Sequence, residues 1–192
     1  MPNQRNHHAR SPKDDGQDPL RPGDLLLADP FMSDPTFERS VVLILNTDLN
    51  GQEGLGLVLN RSLPGESSTS LFRNGGPVAI DTWYALELRN LESPQVELRF
   101  AQVGDDDALE TYQASQGLLP ILASYQAYFR GYAGWSPGQL QEELTQKAWV
   151  ICRCGFDWVQ AMPQPDLWAF LLNQMGGTYA AMARYPRHPY LN

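Results

Sequence analysis

The chain alternates between short apolar runs and polar turn segments. Apolar runs of four to eight residues predict buried strands, and grouped strands predict an α+β fold rather than a doubly wound one. Strands are predicted over 25–28, 40–46, 54–60, 82–89, 96–102, 125–132 and 148–154, with a further candidate over 156–160. Helices are predicted over 108–116, 137–146 and 166–175, with one more helical turn at 179–184.

The first 21 residues are polar, contain proline and show no periodicity. We expect residues 1–21 to form a disordered tail, because such a segment cannot bury enough apolar surface to fold. Residues 22–192 then form a single domain, which suits a chain of 192 residues.

The helix over 137–146 has a start signal in its residue types. Ser136 and Gln139 have the spacing of a capping box, and Pro137 falls at the first helical position, where proline is favoured. Glu143 and Lys147 are four residues apart and predict a stabilising ion pair on the helix surface.

The same segment contains the pattern G-x-S-x-G over residues 134–138, which is typical of serine hydrolases. In that design the backbone N–H after the serine helps to form the oxyanion hole, and Pro137 has no N–H. We therefore favour Ser136 as a helix cap over Ser136 as a nucleophile.

Composition and the distribution of apolar residues argue against several classes of protein. The net charge of −8 disfavours direct nucleic-acid binding, because an acidic surface repels phosphate backbones. No apolar run reaches the roughly 18 residues of a membrane span, and the N-terminal residues lack the apolar core of a signal peptide. The sequence predicts no metal and no cofactor.

Three local patterns each allow two interpretations. Cys152 and Cys154 are either buried structural thiols or a redox pair, and buried thiols are favoured. Backbone N–H groups over 74–76 could form an anion-binding nest, although glycine turns are commoner. The acidic run 105–107 suits a helix N-terminus better than a metal loop, since it lacks calcium-ligand spacing.

Several stretches in fixed order resemble the bacterial AlgH family. They are LLLADPFMSDPTFERSVVLILNTD (25–48), GLGLVLNRSL (54–63), LFRNGGPV (71–78) and GYAGWSPGQLQEEL (131–144) with Trp149. The resemblance implies a bifurcated, mostly antiparallel sheet that curls into a pseudo-barrel with flanking helices. It also implies a cytoplasmic bacterial protein. Family members are described as transcriptional regulators without an established biochemical activity, so no catalytic residue carries over.

The resemblance also selects candidate ligand-binding residues. They are Asp34, Arg39, Asn60, Gly75, Gly76, Trp135, Gln139 and Glu142, and the matching positions further include Pro77, Gly131 and Gly134. The first hypothesis is a binding or regulatory protein in which the 29–39 loop, the 71–77 loop and the 131–135 turn converge on one site for a small ligand or protein partner. The alternative is an enzyme in which Asp34 or Glu142 acts as a general base and Arg39 binds an anionic group. Purely structural roles for these residues remain a third interpretation, and the sequence does not predict an oligomeric state.

Overall fold

The structure is a computed structural model that describes residues 19–32, 34–47, 53–90, 96–116, 125–156, 158–162 and 166–186. Within these residues it contains eight strands and five helices. The strands are β1 (Leu25–Ala28), β2 (Val41–Asn46), β3 (Gly54–Val58), β4 (Phe72–Asn74), β5 (Val78–Arg89), β6 (Glu97–Gly104), β7 (Tyr125–Trp135) and β8 (Trp149–Cys152). All seven predicted main strands are confirmed, β1 with the predicted bounds and the other six with at least one shifted end, and β4 was not predicted.

The sheet divides at β7, its central long strand. The strand order is β6-β5-β7-β3-β2-β1-β8. The carboxyl-terminal part of β7 pairs with β3, whereas its amino-terminal part pairs in parallel with β4, and β5 pairs along its other edge. The strongly curled, bifurcated α+β sheet implied by the resemblance is therefore confirmed.

Both faces of the inner strands are buried. Leu25 and Leu27 of β1 belong to one hydrophobic cluster, while Leu26 and Ala28 belong to a second cluster. Successive side chains of a strand point to opposite faces. Burial of both faces explains why these strands appear in the sequence as continuous apolar runs rather than as alternating patterns.

The helices are α1 (Asp106–Gln116), α2 (Gln139–Thr145), α3 (Trp158–Ala161), α4 (Leu167–Met175) and α5 (Gly177–Met182). The prediction of a strand over 156–160 is wrong, because α3 lies there. The Asp105 side chain accepts a hydrogen bond from the Ala108 N–H at 3.0 Å, which confirms the capping role of that acidic run.

The predicted start of the second helix is also wrong by two residues. The Gln139 N–H donates to the Ser136 carbonyl at 3.0 Å, and Gly138 has φ of 80°. Pro137 and Gly138 therefore occupy the middle of a type II turn, which favours Pro followed by Gly. Half of the predicted capping box forms, since the Gln139 side chain accepts the Ser136 N–H at 3.0 Å.

The packed part of the chain begins slightly before the predicted domain boundary. Leu20 is buried in the second cluster, and its carbonyl accepts the Thr47 hydroxyl at 3.2 Å. The rest of the predicted tail, residues 1–18, lies outside the described residues, as does the connector over 117–124.

Candidate functional site

A polar cavity of about 260 Å³ lies between the 35–39 loop, the segment after β3, β4 and the start of α4. Three arginines line it, Arg39, Arg61 and Arg73, together with two carboxylates, Glu38 and Asp166. The other lining residues are Pro35, Leu59, Asn60, Ser62, Ser68, Met162 and Leu167. We call this site the arginine cavity.

Arg39 is held in place from several sides. Its backbone has φ of 51°, an uncommon value for a residue with a side chain. The Asn60 side chain fixes this conformation, because it donates to the Arg39 carbonyl at 2.8 Å and accepts the Val41 N–H at 2.9 Å. The guanidinium lies over the Trp168 ring at 4.7 Å and 3.5 Å from an Asp166 carboxylate oxygen. It also donates to the Tyr185 carbonyl.

Arg61 and Arg73 both donate hydrogen bonds to backbone carbonyls. The Arg73 guanidinium donates to the Leu59 carbonyl at 3.3 Å and to the Ser68 carbonyl at 3.0 Å. The Arg61 guanidinium donates to the Glu38 carbonyl. The Arg73 contacts are to neutral carbonyl groups, so they leave the positive charge of Arg73 uncompensated.

Arg73 is the least expected group in the cavity wall. It is only 6% exposed, and among the described residues no carboxylate oxygen lies within 4.0 Å of it. Its Nε atom is buried without a hydrogen-bond partner in the described part of the chain. The Tyr125 hydroxyl is also buried without a hydrogen-bond partner in the described part of the chain, and it lies close enough to Arg73 to interact electrostatically.

Burial raises the pKa of Tyr125, and the positive charge of Arg73 partly opposes that shift. The phenol and the guanidinium therefore form a buried polar pair beside the cavity. Neither of them supplies negative charge at neutral pH.

Two of the predicted ligand-binding residues, Arg39 and Asn60, line the arginine cavity. Asp34 does not. Its carboxylate accepts the Thr36 N–H at 2.8 Å, and its carbonyl accepts the Phe37 and Glu38 N–H groups, each at 3.0 Å. Asp34 therefore shapes the loop before Arg39, and Arg39 pairs with Asp166 instead of Asp34.

Gly75 and Gly76 allow the 71–77 loop to cross β7 closely. A Cβ atom on Gly75 would lie 2.2 Å from the Gly131 carbonyl oxygen, and one on Gly76 would lie 2.2 Å from the Tyr132 carbonyl carbon. The N–H groups of this loop are not free for an anion, so the nest interpretation is wrong. Gly75 donates to the Arg130 carbonyl at 2.8 Å, and Gly76 donates to the Asn74 side chain at 3.0 Å.

Trp135 belongs to a different site, which we call the indole clamp. The Trp135 and Trp149 indole N–H groups both donate to Oε2 of Glu143, at 2.8 and 2.7 Å. The Gln139 side chain donates to Oε1 of the same carboxylate at 2.8 Å. The predicted pair between Glu143 and Lys147 is thus replaced by contacts to two buried tryptophans.

Glu142 lies next to the clamp but takes no part in it. Its carboxylate accepts the Gln146 side chain at 3.1 Å on the exposed helix surface. Neither Gln139 nor Glu142 lines the arginine cavity. Of the three segments predicted to converge, 29–39 and 71–77 reach the arginine cavity, through Arg39 and Arg73. The predicted turn over 131–135 is wrong, because these residues are the end of β7, and Trp135 contributes to the clamp instead.

The two cysteines are both free thiols. Cys152 is buried at the end of β8, and Cys154 packs partly against the same cluster. A hydrogen bond to Cys154, together with burial, raises the pKa of the Cys152 thiol. This favours the buried structural interpretation, since the reactive form of cysteine is the thiolate.

Sequence reasoning missed Arg61, Arg73 and Asp166. Arg61 and Arg73 lie in the family-like stretches NRSL and LFRNGGP, which was the available signal. Among the described residues, no three His, Cys, Asp or Glu side chains group in a way that could hold a metal ion. The described helices are also too short or too polar to span a membrane.

The sequence of this chain is similar to those of a known protein family. Residues 25–180 match the model of the AlgH-like family, so the chain belongs to that family. It is 33% identical over 184 residues to the UPF0301 protein SCO2948 of Streptomyces coelicolor, with 88% of this chain and 94% of the relative covered. A UPF0301 protein of Cytophaga hutchinsonii is 30% identical over 187 residues, with 90% and 100% covered.

Two solved structures share the fold. The crystal structure of protein DIP2367 from Corynebacterium diphtheriae matches with a TM-score of 0.62 and 19% identity, covering 88% of this chain and 94% of that one. The solution structure of the AlgH protein from Pseudomonas aeruginosa matches with a TM-score of 0.55 and 25% identity, covering 85% and 93%. The family groups uncharacterised proteins, so function has to be argued from the site.

Proposed function

We propose that this protein is a cytoplasmic binding protein for a small oxyanion of the phosphate type, and that the arginine cavity is its binding site. Arg73 is the observation that carries the proposal. It is a buried cation on a cavity wall, without a carboxylate within 4.0 Å among the described residues. A buried charge that is bound only by neutral groups is costly, and an anionic ligand would provide the missing countercharge.

The chemistry of the other wall residues supports the same ligand class. Guanidinium groups match the geometry of phosphate and carboxylate oxygens through parallel N–H donors. Arg39 is already oriented by its contacts with Asn60 and Trp168. The hydroxyl-bearing residues Ser62 and Ser68 line the same cavity and add neutral donors.

The cavity supports ligand binding and does not indicate what binding does in the cell. A regulatory role for this protein therefore rests on the family resemblance alone. The enzyme alternative receives less support. Asp34 and Glu142, its two candidate bases, do not line the cavity beside Arg39. The carboxylates that do line it belong to Glu38 and Asp166, and Asp166 is paired with Arg39.

The proposal is tested by calorimetric titration of inorganic phosphate into the wild type, Arg73→Gln and Arg61→Gln. We expect each variant to bind at least about tenfold more weakly, since a hydrogen bond to a charged group is worth about 1.5–3 kcal/mol and about 1.4 kcal/mol is a factor of ten. The matched control is Arg99→Gln, which removes an exposed arginine outside the cavity and should leave binding unchanged.

Denaturant melts of the same proteins separate binding from folding. Phosphate at about 100 times its dissociation constant should stabilise the wild type by about 2.7 kcal/mol. This gain in the free energy of unfolding should be lost in Arg61→Gln, which keeps the test available if Arg73→Gln does not fold. Absence of phosphate binding to the wild type, or an equal loss in Arg99→Gln, would overturn the proposal.

A further inference from the structure

A second cavity, of about 290 Å³, adjoins the arginine cavity. Pro35 and Arg61 belong to the walls of both cavities, so the two spaces share a border. The second cavity is further lined by Thr36, Val58, Asn74, Gly76, Pro77 and Ile80. It contains no carboxylate among these lining residues, and proline and aliphatic side chains make up half of the eight lining residues. We call it the apolar annex.

Ile80 is the most exposed large apolar side chain described in the structure, at 59%. A single exposed apolar residue is ordinary on a protein surface. This one, however, lies on the wall of a cavity that borders three arginines.

A bulge in β5 turns Ile80 out of the strand ladder. The pairing of β5 with β7 changes register between Val78 and Trp83, and Ala79 within that interval has φ of 49°. The Arg130 side chain donates to the Ile80 carbonyl at 2.9 Å and fixes the bulged segment. Bulges commonly redirect a side chain at a functional site, and a non-glycine residue at positive φ is a local strain that the surrounding structure has to maintain.

The two cavities together offer one end with excess positive charge and one end with apolar walls. Three arginines face two carboxylates in the first cavity, whereas the annex presents Pro35, Pro77 and Ile80. Their combined volume falls in the range of roughly 300–1,000 Å³ that is usual for small-molecule sites. Inorganic phosphate would fill only the first part.

We infer that the ligand is a phosphate monoester with an apolar, preferably aromatic, organic group. Its phosphate would bind Arg39, Arg61 and Arg73, and its organic group would pack against Pro77 and Ile80 in the annex. This inference rests on the proposed function and extends it, because it names the part of the ligand that inorganic phosphate lacks.

The test compares three probes, inorganic phosphate, methyl phosphate and phenyl phosphate, by calorimetric titration at one ionic strength. Phenyl phosphate should bind the wild type about tenfold more tightly than methyl phosphate, the gain expected from burying one face of an aromatic ring. Ile80→Ser should reduce that ratio to about threefold or less and leave the affinity for inorganic phosphate unchanged. Ile80 is exposed, so this substitution does not disturb the core.

Leu71→Ser is the matched control, because Leu71 is also exposed, at 50%, and lines neither cavity. It should leave all three affinities unchanged. If inorganic phosphate binds but the phenyl group adds no affinity, or if its gain survives in Ile80→Ser, the inference is overturned and the proposed function stands. If none of the three probes binds, the proposed function is overturned and the inference with it.

Discussion

The arginine cavity and the indole clamp differ in how completely the protein hydrogen-bonds their charged side chains. In the clamp, Glu143 accepts hydrogen bonds on both carboxylate oxygens, from Trp135 and Trp149 on one and from Gln139 on the other. In the cavity, Arg73 is bound to two backbone carbonyls, and its Nε has no partner within the described residues.

This difference in hydrogen bonding distinguishes family-like residues with a structural role from family-like residues that are available to a ligand. A charged group whose oxygens both accept hydrogen bonds from the protein is stabilised without a ligand, and the clamp carboxylate joins α2 to β7 and β8. A buried charge with uncompleted bonds is a reason to expect a ligand. The aromatic segment around Trp135, prominent in the sequence, is therefore the structural region. The loop that carries Arg39 and the strand β4 that carries Arg73 form the candidate site.

Removal of the clamp carboxylate should have the largest effect on stability. Glu143→Ala leaves two buried indole N–H groups without their acceptor, at about 1–3 kcal/mol for each unsatisfied group, so we expect a loss of about 3 kcal/mol in urea denaturation. Glu142→Ala is the control on the neighbouring exposed position and should change stability by less than about 0.5 kcal/mol. Equal losses in the two variants would contradict a special role for the clamp.

A smaller effect is expected at high pH beside the cavity. Burial raises the pKa of Tyr125 in the folded protein. Below about pH 10 the phenol is neutral in both the folded and unfolded chains. As pH rises further, the unfolded chain loses the proton first, so the free energy of unfolding falls until the folded pKa is passed.

The variant Tyr125→Phe should therefore lose less stability above about pH 10, by at most about 1.4 kcal/mol per pH unit. Part of the loss should remain, since burial also raises the pKa of Tyr84, Tyr112 and Tyr128. Denaturant melts across this pH range provide the measurement. An unchanged pH dependence in Tyr125→Phe would show that this phenol does not contribute.

The smallest effect is expected at Ser136. Its side chain is exposed, so Ser136→Ala should change stability by no more than about 0.5 kcal/mol. Gln139→Ala should cost more, about 1 kcal/mol, because the Gln139 side chain bonds both the Ser136 N–H and Glu143. A thermal melt of the two variants gives the comparison, and a larger loss in Ser136→Ala would restore the capping role that the sequence predicted for its hydroxyl.

Much of the fold was predictable from sequence because most strands bury both faces. A continuous apolar run as short as 40–46 favours a buried strand, because buried helices are usually longer. The strand β4 escaped prediction because its three residues contain only one buried side chain, Arg73. The helix α3 is a single turn of four residues, and so short a segment carries no periodicity that separates a helix from a strand.

The candidate site was predictable only in part. Arg39 and Asn60 lie in a family-like pattern, and both line the cavity. Arg73 and Asp166 are 93 residues apart in the chain, and they line the same cavity only because of how α4 packs against the sheet. The partners of Glu143 were likewise not predictable from local spacing. Helix periodicity predicted a pair with Lys147, whereas the indole groups that bind Glu143 come from β7 and β8.

The sheet order also has a consequence for how the protein is made on the ribosome. Strands β2 and β3, and likewise β5 and β6, are neighbours in both chain and sheet, so these hairpins can form early in synthesis. The two halves join only when β7 emerges, and the edge next to β1 is covered only by β8 at Trp149–Cys152. Because such long-range pairings form slowly, we expect the nascent chain to expose unpaired apolar strands until about four-fifths of it has been translated, and a chain in that state is prone to aggregation.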